Sequence, residues 1–182
     1  MNNTRKNLLF LFCFLLGIIS FLPLQKVNAA YVLPYPSYMP GNKLYRVSRM
    51  FDVIKKYWHW GSLASYRYAL GQSDKALVES KTLFEYGQYL LAVDALTRSN
   101  GALEAIPDLL RRANLEGKNI EKYTREVTDA MEVHAQLLAK IISDSPEQFT
   151  WTPEKSDAQV LPIHELLARA QHLRREIISK LP

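Results

Sequence analysis

The segment Asn119–Ile142, NIEKYTREVTDAMEVHAQLLAKII, decides the fold class. Ile120, Tyr123, Val127, Ala130, His134, Leu137 and Ile141 alternate spacings of three and four along it. That alternation gathers them on one stripe of a helix, the seam expected when a helix packs inside a bundle. Asn119 is placed to cap its start.

Upstream, Pro107 marks a boundary and can open a short helix through Ala113, because proline fits a first turn and disrupts an interior. Before it, Gln88 to Ile106 reads as a helix with Leu91, Ala95 and Leu103 inside, and SNG at Ser99 to Gly101 is a candidate break. A longer helix is expected from Ser62 to Tyr86, with Leu63, Tyr66, Leu70, Leu77 and Phe84 on its buried stripe and Gly87 as its stop. EYGQY is then a tight turn between antiparallel helices. The first helix carries Leu44, Val47, Phe51, Ile54 and Trp58 on one stripe, with Asn42 as its cap and Gly61 at its end.

Downstream, residues 143–161 change to a polar text with two prolines and no sustained period, read as a connector in which Phe149 and Trp151 touch something. Pro162 can begin a last helix with a stripe of Ile163, Leu166, Ala170, Leu173 and Ile177. Strand signals are nearly absent. The class is all-α: a compact antiparallel helical bundle with an extended Pro/Tyr-rich N-terminal arm. The expected division is a signal peptide over 1–29, the arm over 30–41, the bundle over 42–142, the connector over 143–161 and a C-terminal helix over 162–182.

The signal peptide rests on Arg5 and Lys6, an apolar run from Leu8 to Leu22, and the small-residue site VNA ending at Ala29. The alternative is an uncleaved anchor, but the run is shorter than the roughly 18 residues that define a spanning helix. Cys13, the one cysteine, follows Phe12 inside that run, which does not suit lipid attachment. A chain cut after Ala29 has no cysteine, so disulfides, a thiol nucleophile and cysteine-ligated metals are excluded. The whole chain carries a formal charge of +5, of which Arg5, Lys6 and Lys26 precede the cut with no acid beside them. The remaining +2 argues against wholesale nucleic-acid binding.

At its start the cut chain reads YVLPYPSYMPGNKLYR, Tyr31 to Arg46. Prolines at 34, 36 and 40 hold the backbone near polyproline II and bias Leu33, Tyr35 and Met39 toward extended conformations. Such a segment loses little entropy on ordering, so Tyr31, Leu33, Tyr35 and Tyr38 can pack across helices. The competing reading is a free polyproline ligand for an aromatic-lined groove.

Tyr31 to Leu96 resembles a family of exported bacterial helical proteins built on a domain of unknown function. In that family a VLPYP arm after the signal peptide is followed by a further proline and a helix opening on an LY pair, here Val32 to Pro36, Pro40, and Leu44 with Tyr45. Ser37 stands where the family shows glycine, and Gly41 where it shows aspartate. The resemblance implies export and a helical class, and no activity.

The most conspicuous cluster is KKYWHWG, Lys55 to Gly61, in a region made basic by Lys43, Arg46, Arg49, Lys55, Lys56 and Arg67, with Asp52 the only acid. Basic residues with tryptophans suit headgroup depth or an anionic polymer. The plainer reading puts Trp58 in the core, because it falls on the stripe of the first helix, and leaves Trp60 at the helix end.

Little points to catalysis. HELLARAQH spaces His164 and His172 eight apart, about 12 Å along a helix, whereas a shared metal needs them one turn apart. His134, on the seam, reads as a hydrogen-bonded packing residue. Asp74 with Glu79, and Glu126 with Asp129, read as charges on solvated faces. No glycine-rich phosphate loop or nucleophile elbow occurs in the sequence. GQYLLAV, Gly87 to Val93, matches the turn of a tetratricopeptide-like hairpin, but no copy recurs about 34 residues on.

The resulting expectation is a non-catalytic structural or protein-interaction module of the cell envelope, extracytoplasmic, without cofactor, metal or small-molecule substrate. The rival is a binder of an anionic membrane or cell-wall surface through the basic aromatic helix. Tyr35, Tyr38, Arg46, Arg49, Lys55, Lys56 and Trp60 are the candidate interaction residues.

Overall fold

The computed structural model describes residues 31–35, 38–154 and 157–182, the side chains of Val53, Lys56 and Tyr57 excepted. The expected signal peptide lies outside the described residues. Six helices follow the arm: α1 Tyr45–Trp58, α2 Ser62–Glu85, α3 Tyr89–Glu104, α4 Ile106–Leu115, α5 Glu121–Asp144 and α6 Ile163–Ser179. Between α5 and α6, β1 Phe149–Trp151 pairs antiparallel with β2 Gln159–Leu161, Phe149 opposite Leu161 and Trp151 opposite Gln159. Among the described residues the protein is all-α apart from this hairpin.

The helix ends follow local chemistry. The Asn42 side-chain oxygen accepts from the Leu44 amide ahead of α1, and that of Asn119 from the Glu121 amide at the start of α5. Gly87 takes φ +68°, a region costly for a residue with a Cβ, and closes α2. Its amide reaches the Phe84 carbonyl while that of Gln88 reaches Leu83, satisfying the last carbonyls before the chain reverses into α3. Pro107 sits in the first turn of α4, where a missing N–H costs nothing. The SNG triplet does not interrupt α3: Ser99 is fully buried, and its hydroxyl bonds to other helices rather than competing for its own backbone.

Helices α2, α3, α5 and α6 surround the core, which is layered along its length. One apolar layer joins Leu77, Leu83 and Phe84 of α2, Ala92 and Leu96 of α3, Leu138 and Ile141 of α5, and Ile163 and Leu167 of α6. The other joins Tyr66 and Leu70 of α2, Leu103 of α3, Ile106 and Leu110 of α4, Val127 and Met131 of α5, and Ile177 of α6. Between them every one of the four helices turns a polar residue inward: Ser73 and Asp74, Ser99, His134, and Arg174, all buried. Each falls on the three-four stripe of its own helix, between Leu70 and Leu77, Leu96 and Leu103, Met131 and Leu138, and Ala170 and Ile177.

Three expectations are corrected. The connector contains strands, because three-residue strands are too short to show a period in sequence; Phe149 anchors them, its ring 4.8 Å from that of Tyr89. Asp74 and Glu79 are not on a solvated face; both are buried. The apolar stripe of α1 does not enter the core, and Trp58 is 78% exposed.

Candidate interaction surface

Helix α1 packs through its polar side. The Tyr45 hydroxyl donates to Glu79 Oε1 of α2 at 2.8 Å, and the Arg98 guanidinium of α3 donates to both oxygens of the same carboxylate at 2.9 and 3.2 Å. Burial, followed by the Glu79 hydrogen bond, raises the Tyr45 phenol above its ordinary pKa. Two turns further along α1, Lys75 of α2 grips both oxygens of Asp52 at 3.0 and 3.1 Å, and the Tyr68 hydroxyl donates to the Asp52 carbonyl at 2.5 Å. These are forked, charge-assisted contacts in half-buried positions, stronger than isolated surface pairs. At the end of α1 the His59 ring lies 4.9 Å from that of Tyr68, and Gly61 at φ +91° turns the chain into α2.

The opposite side of α1 faces solvent. At about 100° per residue, Leu44, Met50, Phe51, Ile54 and Trp58 fall within about 60° of Val47, and all six are exposed. Arg46 and Lys55, both exposed, lie at about −100° and +80° from the same reference, one along each border of the apolar arc. Tyr45 and Asp52, which bind the bundle, lie about 140° to 160° away, on the far side. The helix is amphipathic, and its apolar face has no cover among the described residues.

The other concentration of chemistry is the polar layer. Asp74 accepts from the Tyr31 hydroxyl at 2.5 Å through Oδ2 and from His134 Nε2 at 2.8 Å through Oδ1. Burial, opposed by that hydrogen bond, lowers the His134 pKa below the ordinary range, so at neutral pH the ring is uncharged with its proton on Nε2. Arg174 donates to Asn100 at 2.6 Å, to the Ala170 carbonyl at 2.8 Å and to Ser99 at 3.0 Å, and Ser99 meets Ser73 at 3.0 Å. Burial pulls Arg174 down to about 10, which leaves it charged at neutral pH. The Tyr–Asp–His order looks like a proton relay, but His134 is fully buried and Asp74 is only 5% exposed. No group of His, Cys, Asp and Glu able to hold a metal occurs among the described residues.

The candidate interaction residues separate into groups. Arg46 and Lys55 flank the outward arc of α1, and Trp60 follows the helix at 83% exposure. Tyr38 and Arg49 instead line a small notch together with Tyr45 and Ser48. Tyr35, expected to pack across helices, is 94% exposed; of the arm, Tyr31 packs on the second apolar layer and Met39 on the first. The backbone of Lys56 is helical, and its side chain is outside the described set.

Sequence reasoning missed Asp74, Glu79, Arg98 and Arg174. For Asp74 and Arg174 a signal was present: each fills a stripe position between apolar neighbours, where a charge on a solvated face would not fall. No helix among the described residues is long and apolar enough to cross a membrane. Comparison with protein-family models, with curated proteins and with solved structures gives no match.

Proposed function

We propose that this protein is a non-catalytic module, exported to the cell envelope, that binds there through the outward face of α1. The observation that carries the reading is the inversion of α1: its polar side is bonded to the bundle, and its apolar side, including Phe51 at 53% and Trp58 at 78% exposure, is left to water. Contiguous exposed apolar area of this kind marks interaction sites in soluble proteins. A non-catalytic role is supported by the seal around His134 and Asp74, which fits a structural use of the one relay-like arrangement described above. Export is supported by the basic start, the apolar run and the VNA site.

The test is Phe51→Ser with Trp58→Ser in one chain. Because both side chains are exposed, the melting point should stay within a few degrees of the parent. Retention in the envelope fraction of the cells that make the protein should be lost. Full retention of the double variant would refute α1 as the binding element.

A further inference from the structure

We propose that the occupant of the α1 face is the surface of an anionic bilayer, with the helix lying flat at headgroup depth and the bundle held above it. The inference rests on the reading of α1 as the binding element and names what that element binds.

Three observations select this occupant. The first is the cationic border. Arg46 and Lys55 lie on opposite edges of the apolar arc, and the only acid of the segment, Asp52, is turned inward onto Lys75. A helix resting on a bilayer meets phosphates along both long edges, so long basic side chains on both borders can reach headgroups while the arc between them enters the acyl boundary.

The second is the arc itself. An anionic wall polymer offers charge but no apolar interior, so it would leave Val47, Phe51 and Ile54 wet. A bilayer meets both requirements at once.

The third is Trp58 with Trp60 at the C-terminal end, at 78% and 83% exposure. Indole is an amphipathic ring suited to the boundary between headgroup and chain. The attachment of α1 is also compatible with such seating. The contacts that hold it run from Tyr45 and Asp52 to Glu79 and Lys75, on the side away from the arc, so insertion of the arc breaks none of them.

The experiment uses the chain from Ala30 onward with Trp151→Phe, so that Trp58 and Trp60 are the only tryptophans. It is mixed with vesicles of phosphatidylcholine alone, or of phosphatidylcholine and phosphatidylglycerol at a ratio of about 3:1. The expected result is co-sedimentation with the anionic vesicles at least tenfold stronger than with the neutral ones. A blue shift of the emission and quenching by lipids brominated in the upper acyl chain should accompany it. Arg46→Gln with Lys55→Gln should weaken binding to the anionic vesicles severalfold, and Val47→Ser with Ile54→Ser by tenfold or more, with the melting point of each variant near that of the parent.

Absence of binding to either vesicle overturns the bilayer. If envelope retention in cells is still lost in the Phe51 and Trp58 double variant, α1 is the binding element and its occupant is a protein. If retention persists, the reading of α1 fails as well. Binding to anionic vesicles without a blue shift or quenching, and reversed by soluble polyphosphate, also overturns the proposal, because it makes the site a polyanion patch that never enters the bilayer.

Discussion

The Tyr31 hydroxyl and the Asp74 carboxylate meet at 2.5 Å across 43 residues of chain, and that hydrogen bond fastens the start of the arm to the polar layer of the bundle. Asp74 takes its other bond from His134, so one carboxylate holds the arm, α2 and α5. Removing the phenolic oxygen leaves the buried acid one donor short. Tyr31→Phe is therefore expected to cost about 1.5–3 kcal/mol, and to lower the melting point by several degrees. A thermal denaturation curve that superimposes on the parent's would show that the arm is not fastened in solution.

The His134 ring titrates with a definite sign. Its folded pKa is depressed by burial below the unfolded value of about 6.5. The unfolded chain therefore binds the proton first as pH falls. Stability from this group is complete above about pH 6.5 and is lost as pH drops from there through the folded pKa, with a slope of at most about 1.4 kcal/mol per pH unit. His134→Gln should be less stable at neutral pH and should flatten that part of the profile. Urea denaturation of both proteins from about pH 7 to pH 5 measures the difference; parallel profiles would mean that His134 protonates equally well in both states.

Arg174 and its neighbour Arg175 provide a contrast within one turn. Arg174 is 1% exposed and holds Ser99 and Asn100, whereas Arg175 is exposed. Arg174→Ala should cost about 3 kcal/mol or more through a cavity and two orphaned polar groups, and Arg175→Ala under about 0.5 kcal/mol. Equal losses from the two changes, read from denaturant midpoints, would remove Arg174 from the core.

Aromatic truncations separate core from surface. Phe84→Ala should cost about 3–5 kcal/mol. Trp58→Ala should cost under about 1 kcal/mol, since its indole is 78% exposed and leaves no cavity. A loss at Trp58 comparable to that at Phe84 would mean that the α1 face is covered by the bundle in solution.

Glu79 is the hinge of α1 attachment. Glu79→Gln keeps the shape but weakens the charge-assisted bonds from Arg98 and reduces acceptance from Tyr45. Amide exchange in α1 should accelerate severalfold while that of α2 and α5 stays near the parent's. Uniform acceleration across all helices would assign Glu79 to global stability instead.

Much of this architecture was legible, for reasons visible residue by residue. Periodic helices with glycine or proline punctuation, such as α2 ending at Gly87 and α4 opening at Pro107, follow from backbone chemistry that acts locally. The short hairpin and, apart from the hydrogen-bonded packing place of His134, the polar layer were not read, because they depend on what lies across the bundle. The sequence marks Phe149 as a residue that touches something, but does not show that its partner is Tyr89. Asp74 looks like a surface charge until Tyr31 and His134 converge on it. The stripe of α1 misled for the same reason: periodicity reports that a helix has an apolar side, and says nothing of whether that side meets protein or something else. Composition alone singles out Arg46, Lys55 and Trp60; the structure adds that Arg46 and Lys55 border the apolar arc of α1 on opposite sides and that Trp60 follows the helix.

The polar ties described above also impose an order in time. Translation delivers Tyr31 and Tyr45 before any of their partners: Glu79, Asp74 and Arg98 come later, and His134 later still. The arm and α1 must therefore wait until the α2–α3 hairpin has closed. Local helical pairing of α2 with α3 can proceed early because it needs little loop closure. The N-terminal segment is thus locked only after residues well downstream of it, and a nascent chain halted before Arg98 would hold α1 without the Glu79–Arg98 pair that orients it.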